Sequence, residues 1–450
     1  MKVAIVGAGS VGLVSGACLA SLGHQVTCVD VDAERVAAIE AGRTPFFEAG
    51  LEELLERTVP ERLQATTDLA AAVVEAEVTI IAVGTPFDGS GSDLSQVEAA
   101  ARAIGAALAE RQGYQLVIVK STVLPGTTDG LVRPLLEEVS GRRAGVDFGV
   151  AMNPEFLREG QAVSDSLHPD RIVMGGSDEL SWRIQEELYA PLRCPDLLRT
   201  SNATAEMIKY SSNALLATAI SFSNEIGNLC ATLDGVDVTE VLRGVHLDKR
   251  LSPILEEREG QARTRVRPGF LTYLMAGCGF GGSCLPKDVD SLVAFGEKRG
   301  VEMGLLRATL AVNRAQSRQL IAILERHFAS LEGVPVAVLG LAFKPGTSDV
   351  RETPALPVIE ALRQRGAVLR LFDPVVRGGL FTGNGVAHAA DLPRAVEGAA
   401  AVVVLTSWPE FEELPAHLEQ LPEPPLVVDG RRMFDRERIA RYDGIGLGRR

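Results

Sequence analysis

An α/β protein with two doubly wound parallel sheets, joined by a long central helix and a helical middle region, is the fold class this sequence predicts. Three observations carry that reading. The chain opens on a short apolar run, residues 1–7, which passes directly into Gly7-Ala8-Gly9-Ser10-Val11-Gly12. A second opening of the same kind, Val334-Pro335-Val336-Ala337-Val338-Leu339-Gly340, begins the last part of the chain. Between them, residues 203–234 form a Pro-free stretch of helix formers, longer than an average globular helix. At 450 residues the chain exceeds one ordinary core, and the pattern divides it into residues 1–199, 200–315 and 316–450.

Each element has a local reason. Residues 1–7 are rich in β-branched side chains, as a buried parallel strand requires. In the glycine turn, Gly7 permits the tight bend, Gly9 lets the backbone approach a pyrophosphate, and Gly12 lets the next helix pack on the strand. That helix, residues 11–22, starts at Val11 and presents its first N–H groups to phosphates. Residues 25–30 form the next strand and end on Asp30, 23 positions after Gly7, where a ribose-binding carboxylate is expected. A carboxylate there repels a 2′-phosphate, so NAD is expected as the cofactor, with Arg35 arguing the other way. Residues 78–83 lead into Gly84-Thr85-Pro86, and residues 116–119 lead into Lys120-Ser121-Thr122. In open α/β sheets ligands bind beyond such strand ends, which makes Thr85, Pro86, Ser121 and Thr122 cofactor-site candidates. A strand over residues 146–152 then runs into Asn153-Pro154-Glu155-Phe156-Leu157-Arg158-Glu159. In the last third, residues 368–374 again end a strand on an aspartate, Asp373, and residues 400–405 and 425–429 add buried strands.

Composition narrows the function classes. A formal charge of -14 argues against a general nucleic-acid binder. The uncharged run over residues 3–23 is broken by five glycines, so strand, turn and helix explain it better than a membrane span or signal peptide. Six dispersed cysteines and six dispersed histidines give neither a disulfide framework nor metal-ligand spacing. No metal, no membrane and a cytoplasmic location are expected. Cys284 stands in Gly281-Gly282-Ser283-Cys284-Leu285-Pro286-Lys287-Asp288, far from the glycine turn, and its flanking glycines suggest close approach to a ligand. A chain with a nicotinamide site and a nucleophilic thiol can oxidise an alcohol and then hold the aldehyde covalently. Cys278, six residues earlier, reads as packing or loop lining.

Taken in order, these motifs resemble the UDP-glucose/GDP-mannose dehydrogenase family over almost the whole chain. The resemblance rests on the glycine turn, Gly84-Thr85-Pro86, Lys120-Ser121-Thr122-Val123, Asn153 to Glu159, Glu206-Met207-Ile208-Lys209-Tyr210, Phe280 to Asp288, Phe343-Lys344-Pro345 and Asp429-Gly430-Arg431-Arg432. It implies oxidation of a sugar C6 hydroxymethyl to a carboxylate with two NAD per turnover, through a Cys284 thiohemiacetal and thioester. Lys209 and Asn213, four apart on one helix face, then stabilise the oxyanion, and Lys209 also transfers a proton. Asp288 orients or activates water or tunes the lysine. Glu159 and Thr122 position the hydrolytic water, and Glu155 supports the lysine and sugar.

The same resemblance places Phe156, Leu157, Arg250, Tyr273, Gly281, Phe343, Lys344 and Arg431 at the nucleotide sugar, and Glu159 and Arg351 at the NAD. It also implies a homodimer through the central helix. Two departures stand out: Ser10 occupies a position where relatives often carry an aromatic, and a charged stretch over residues 251–267 separates Arg250 from the cysteine loop. UDP-glucose is the expected substrate as the commoner activity, with GDP-mannose and UDP-N-acetylmannosamine as alternatives. Two readings from other classes compete, a one-step β-hydroxyacid dehydrogenase and a non-catalytic nucleotide-sugar sensor. The first has no need of Cys284 or a C-terminal nucleotide domain, and the second is expected to lose Cys284, Lys209 or Asp288.

Overall fold

The computed structural model describes residues 1–59, 61–255, 264–376 and 381–448. It divides into two compact units, Met1–Ser212 and Asn213–Arg450. Residues 256–263 of the charged stretch expected after Arg250 lie outside the described residues.

The first unit holds a six-stranded sheet of β1 (Lys2–Val6), β2 (Gln25–Val29), β3 (Leu63–Thr66), β4 (Val78–Ile81), β5 (Leu116–Val119) and β6 (Gly149–Met152). All pairings are parallel, and the order is β3-β2-β1-β4-β5-β6, the order of a dinucleotide-binding sheet. Strands β4, β5 and β6 are buried at every residue because both faces are covered. Ile5, Cys28, Ile80 and Ile118 enter one helical layer, and Val6, Ile81, Val117 and Val119 enter the other. A smaller parallel pair, β7 (Ile172–Gly175) with β8 (Leu197–Thr200), follows.

In the second unit a short antiparallel pair, β9 (Ile254–Leu255) with β10 (Thr264–Arg265), precedes a second six-stranded parallel sheet. Its strands are β11 (Pro335–Leu339), β12 (Val368–Phe372), β13 (Val386–His388), β14 (Ala401–Val404), β15 (Leu426–Asp429) and β16 (Tyr442–Gly444). They run in the order β13-β12-β11-β14-β15-β16, so the first sheet's topology is repeated. The resemblance between the two strand-terminal aspartates is only partial. Asp373 is filled by five N–H donors, from Leu341, Ala342, Val375, Val376 and the Trp408 indole, at 2.8 to 3.1 Å. It ties its own loops together.

The central helix spans Asn202–Cys230, four residues short of the expected end. Past Cys230 the chain tightens into three-residue turns, Thr232 N–H to Leu229 O and Leu233 N–H to Cys230 O, which end the helix, and Gly235 at φ +71° then takes a left-handed conformation. Among the described residues no helix is long and apolar enough to cross a membrane.

Candidate active site

The glycine turn in the first unit has the sterics a dinucleotide requires. Gly7 sits at φ +101°, and a Cβ there would lie 2.7 Å from Ala82 O. A Cβ on Gly12 would run into Gly7 O, while one on Gly9 would meet nothing within 4 Å. The turn is thus closed on the protein side and open at Gly9, beside the start of the helix Ser10–Ser21. These residues fit an NAD pyrophosphate.

Asp30, at the end of β2, is buried. Its Oδ2 accepts from Ala8 N–H at 2.8 Å and from Arg35 Nη1 at 2.9 Å, and its Oδ1 accepts from Asp32 N–H at 3.0 Å. Burial alone would raise its pKa, but these donors and the Arg35 charge hold it below the usual carboxylate value. Arg35, expected to argue for a 2′-phosphate, is committed to this carboxylate. Asp30→Ala is therefore expected to lower kcat/KM for NAD by about 10- to 100-fold, the worth of hydrogen bonds to a charged group. It should also narrow the gap to NADP, because Arg35 is released. Steady-state kinetics with both cofactors test this, and a wild type that already uses NADP equally well would refute it.

Past the next strand ends, Thr85 Oγ donates to Thr122 O at 2.7 Å and Ser121 Oγ donates to Val83 O at 2.7 Å. The two candidate loops are laced together, with Thr122 half-buried. Beyond β6, the Glu155 and Lys209 side chains are 7% and 4% exposed and meet at 2.7 Å. Glu155 Oε2 also accepts from Leu157 N–H at 2.7 Å, and Lys209 Nζ lies 5.6 Å from the Phe156 ring centroid. Burial opposes the Glu155 charge, but Lys209, the Leu157 N–H and the charge of Lys120 outweigh it and hold its pKa low. Glu159 is half-buried. The residue just after it, Gly160, is anchored by Glu48, whose buried carboxylate accepts from Gly160 and Ala162 N–H, both at 2.8 Å.

The second unit carries the thiol. Cys284 is the exposed member of the six cysteines. It occupies the N-cap of the helix Leu285–Glu297, where the helix dipole favours negative charge. Asp288, 1% exposed, donates its N–H to Cys284 O at 2.9 Å. Its carboxylate takes Asn213 Nδ2 at 2.6 Å on one oxygen and Lys287 Nζ at 2.6 Å on the other. Cys278 is buried against Gly430 O at 3.1 Å, and burial pushes its pKa up to about 11, which disfavours its thiolate.

The glycines beside Cys284 also answer a steric demand within the protein. A Cβ on Gly282, at φ +81°, would lie 2.7 Å from the Phe343 ring, and one on Gly281 would strike Glu352 O. On the protein side their close approach is to the loop after β11. Gly282 N–H donates to Arg351 O at 3.0 Å, and Phe343 is thereby seated on the cysteine loop. The remaining candidates are placed as follows. The Arg351 guanidinium pairs with Asp349 at 2.7 Å, and Arg250 is exposed and bonded to Asp248. Lys344 Nζ lies 5.5 Å from the Phe343 ring centroid, and Tyr273 ends a 3-10 turn, Gly269–Tyr273.

Arg431 donates to Leu405, Gly279 and Phe343 carbonyls, at the cysteine loop. Arg432 is buried in an ion pair with Asp237 at 2.7 Å, so of the two arginines it is Arg431 that stands beside that loop. Sequence reasoning missed the groups that hold the loop itself. Asn313 bonds both the N–H and the C=O of Phe280, at 2.7 and 2.9 Å, and Asn224 accepts from Gly277 N–H at 2.7 Å. Among the described residues no group of three His, Cys, Asp or Glu could hold a metal.

A dinucleotide-type sheet in each unit, an NAD-shaped glycine turn, a buried lysine–carboxylate pair and an exposed thiol at a helix start define a pyridine-nucleotide-dependent dehydrogenase with a second nucleotide-binding domain. Family models of the UDP-glucose/GDP-mannose dehydrogenases match the chain in three successive parts. These are the NAD-binding domain over residues 1–193, the central domain over 203–315 and the UDP-binding domain over 337–436. The chain belongs to the UDP-glucose/GDP-mannose dehydrogenase family, and it is an NAD-dependent nucleotide-sugar 6-dehydrogenase. It is 40% identical to a UDP-glucose 6-dehydrogenase of Haloferax volcanii, over 99% of this chain and 100% of that one. It is 38% identical to a GDP-mannose 6-dehydrogenase of Azotobacter vinelandii, over 95% and 96%. A solved UDP-glucose dehydrogenase from Pyrobaculum islandicum superposes with a TM-score of 0.87 at 39% identity, covering 99% and 97% of the two chains.

Proposed function

We propose that the protein oxidises UDP-glucose to UDP-glucuronate in two successive oxidations, with the sugar held on Cys284 between them. The observation that carries this is Cys284 itself, an exposed thiol at a helix start with the Asn213–Asp288 bond one turn behind it. UDP-glucose is favoured over GDP-mannose by the extent of the match, since relatives named for the first match 99% and 100% of this chain and relatives named for the second 95% and 83%. Residues 1–199 serve the cofactor, 200–315 carry the long helix and the thiol, and 316–450 seat the nucleotide.

NAD held by Gly7, Gly9, Val11, Gly12, Asp30, Thr85, Pro86, Ser121, Thr122 and Glu159, with Arg351, supplies the hydride acceptor for each oxidation. In the first, Lys209 takes the C6 hydroxyl proton, and Asn213 supports the developing oxyanion with it. The Cys284 thiolate adds to the aldehyde carbon, the carbonyl oxygen takes up a proton, and a thiohemiacetal forms. The second oxidation gives the thioester. Water positioned by Glu159 and Thr122 attacks it, and the carbon–sulfur bond breaks to return the thiolate. Asp288 orients or activates water or tunes Lys209. Glu155, Phe156, Leu157, Tyr273, Gly281, Phe343, Lys344 and Arg431 surround the nucleotide sugar, joined by Arg250. The overall balance is one alcohol, two NAD and one water to one carboxylate, two NADH and three protons.

Two NADH per sugar acid, with no aldehyde accumulating, is the expected stoichiometry. Incubation with NAD and a panel of UDP-glucose, GDP-mannose and UDP-N-acetylmannosamine measures it and identifies the substrate together. One NADH per product with aldehyde in solution would remove the covalent step. A homodimer through the central helix is part of the same reading. Leu215, Phe222 and Leu229, each more than half exposed, recur every seven residues along it, an apolar stripe suited to a second copy. Light scattering that returned a monomer mass would remove this part.

A further inference from the structure

Lys120, at the end of β5, takes part in no step above, yet it is buried much like the Glu155–Lys209 pair. Its Nζ donates to Asn153 Oδ1 at 2.8 Å. The Tyr189 hydroxyl donates to the same oxygen at 2.6 Å, so both lone pairs of that amide are taken, and Asn153 Nδ2 turns away to Val173 O. The Tyr189 ring centroid lies 5.8 Å from Nζ. An ammonium has three donors, and one buried with a single shared acceptor among the described residues is poorly compensated. Burial pushes the Lys120 pKa down to about 8, with Glu155 working against the shift and the Lys209 charge adding to it.

Glu155 stands two residues past Asn153, where the chain leaves β6. Charged groups gathered here from the neighbouring elements include Lys120 after β5, Glu155 after β6 and Lys209 on the central helix. The Arg171 guanidinium lies 3.9 Å from the centroid of the Phe156 ring, and Lys209 Nζ lies 5.6 Å from the same centroid. Glu155 therefore pairs directly with Lys209 and reaches Lys120 only through its charge. Alone, Glu155 would fix Lys209 as an ammonium and make it a poor proton acceptor.

We infer that Lys120 is a positioning residue for the oxidation, a second buried amine whose charge loosens the proton that Glu155 holds on Lys209. The inference rests on the reading that Lys209 takes the C6 hydroxyl proton. Like charges in a buried cluster oppose one another's protonation, so removing the Lys120 charge raises the Lys209 pKa. Lys209 then remains protonated to higher pH. The acidic limb of the kcat/KM profile, where the base is still protonated, moves upward with it.

The chain has only seven lysines, so ε-13C-lysine NMR of the cofactor-free protein can follow each one through a pH titration. Lys120→Met is expected to delete one resonance and to move the Lys209 midpoint up by about half a pH unit or more, with the acidic limb moving equally. Lys120→Arg, which keeps the charge, is expected to restore both. Tyr189→Phe returns a lone pair of Asn153 to Lys120 and should raise the midpoint of Lys120 itself. This conservative variant carries the test if Lys120→Met fails to fold. An unmoved Lys209 midpoint in Lys120→Met, or an unmoved Lys120 midpoint in Tyr189→Phe, overturns the inference. A Lys209 midpoint that moves while the acidic limb stays fixed supports the coupling and instead removes Lys209 as the proton acceptor.

Discussion

Cys284→Ser is expected to lower kcat by about a thousandfold or more while leaving NAD binding intact. The serine hydroxyl is a far weaker nucleophile than a thiolate. Any ester it forms has a poorer leaving group than a thioester, so turnover stalls with sugar attached to the protein. Intact-mass measurement after incubation with substrate and NAD reads that adduct, and titration of NADH reads binding. The control is Cys278→Ser. Cys278 is buried against Gly430 O with its pKa pushed up, and a serine there keeps the hydrogen bond, so activity should stay within a few-fold of wild type. A fully active Cys284→Ser beside a dead Cys278→Ser would show that the wrong thiol has been assigned.

Lys209→Met is expected to lose about 10²- to 10⁴-fold in kcat, the range for a positioned acid–base group. It also leaves Glu155 buried without its ion-pair partner, which costs about 3–5 kcal/mol when a buried pair is broken. The two losses are separable. Adding Glu155→Gln removes the stranded charge and should return much of the thermal stability without returning activity. The pH dependence has a definite sign. The pKa of Glu155 is held low in the native state, so the pair stabilises the wild type at neutral pH, and that contribution fades as pH falls from the unfolded carboxylate value through the lowered native one. In Lys209→Met the contribution is already absent at neutral pH. Activity returning along with stability in the double variant would show that the lysine has only a structural role.

The parts of this molecule legible in its sequence are those whose cause is local. The glycine turn could be read because Gly7 and Gly12 answer steric demands made by residues close by, with Gly9 left open between them, and the apolar strands could be read because both of their faces are buried. Some strand ends came out a residue or more too long, as at residues 78–83 against β4 (Val78–Ile81), since apolar character continues past the last ladder bond, whereas residues 116–119 matched β5 at both ends. Short strands with little pattern, such as β13 (Val386–His388) and β16 (Tyr442–Gly444), left no signal. The supports of the candidate site were illegible for a different reason. Asn313 acts 33 residues from Phe280 and Glu48 acts 112 residues from Gly160, and each bonds backbone groups, which leave no trace in residue identity at the receiving end. A buried Asn within a helix, as at Asn224, is the one clue such a support offers.

The seating of Phe343 on Gly282 bears on attempts to exchange nucleotide preference between relatives by grafting. The segment that carries the thiol and the loop that follows β11 interlock, with Gly281 and Gly282 leaving no room for a side chain on one part and Phe343 and Glu352 filling that room from the other. A C-terminal portion taken from another enzyme therefore has to bring its own residues 276–284, or match this surface atom for atom. A junction placed between the two segments would divide a single mechanical part, and the sulfur would lose its aim before the new base specificity could be read.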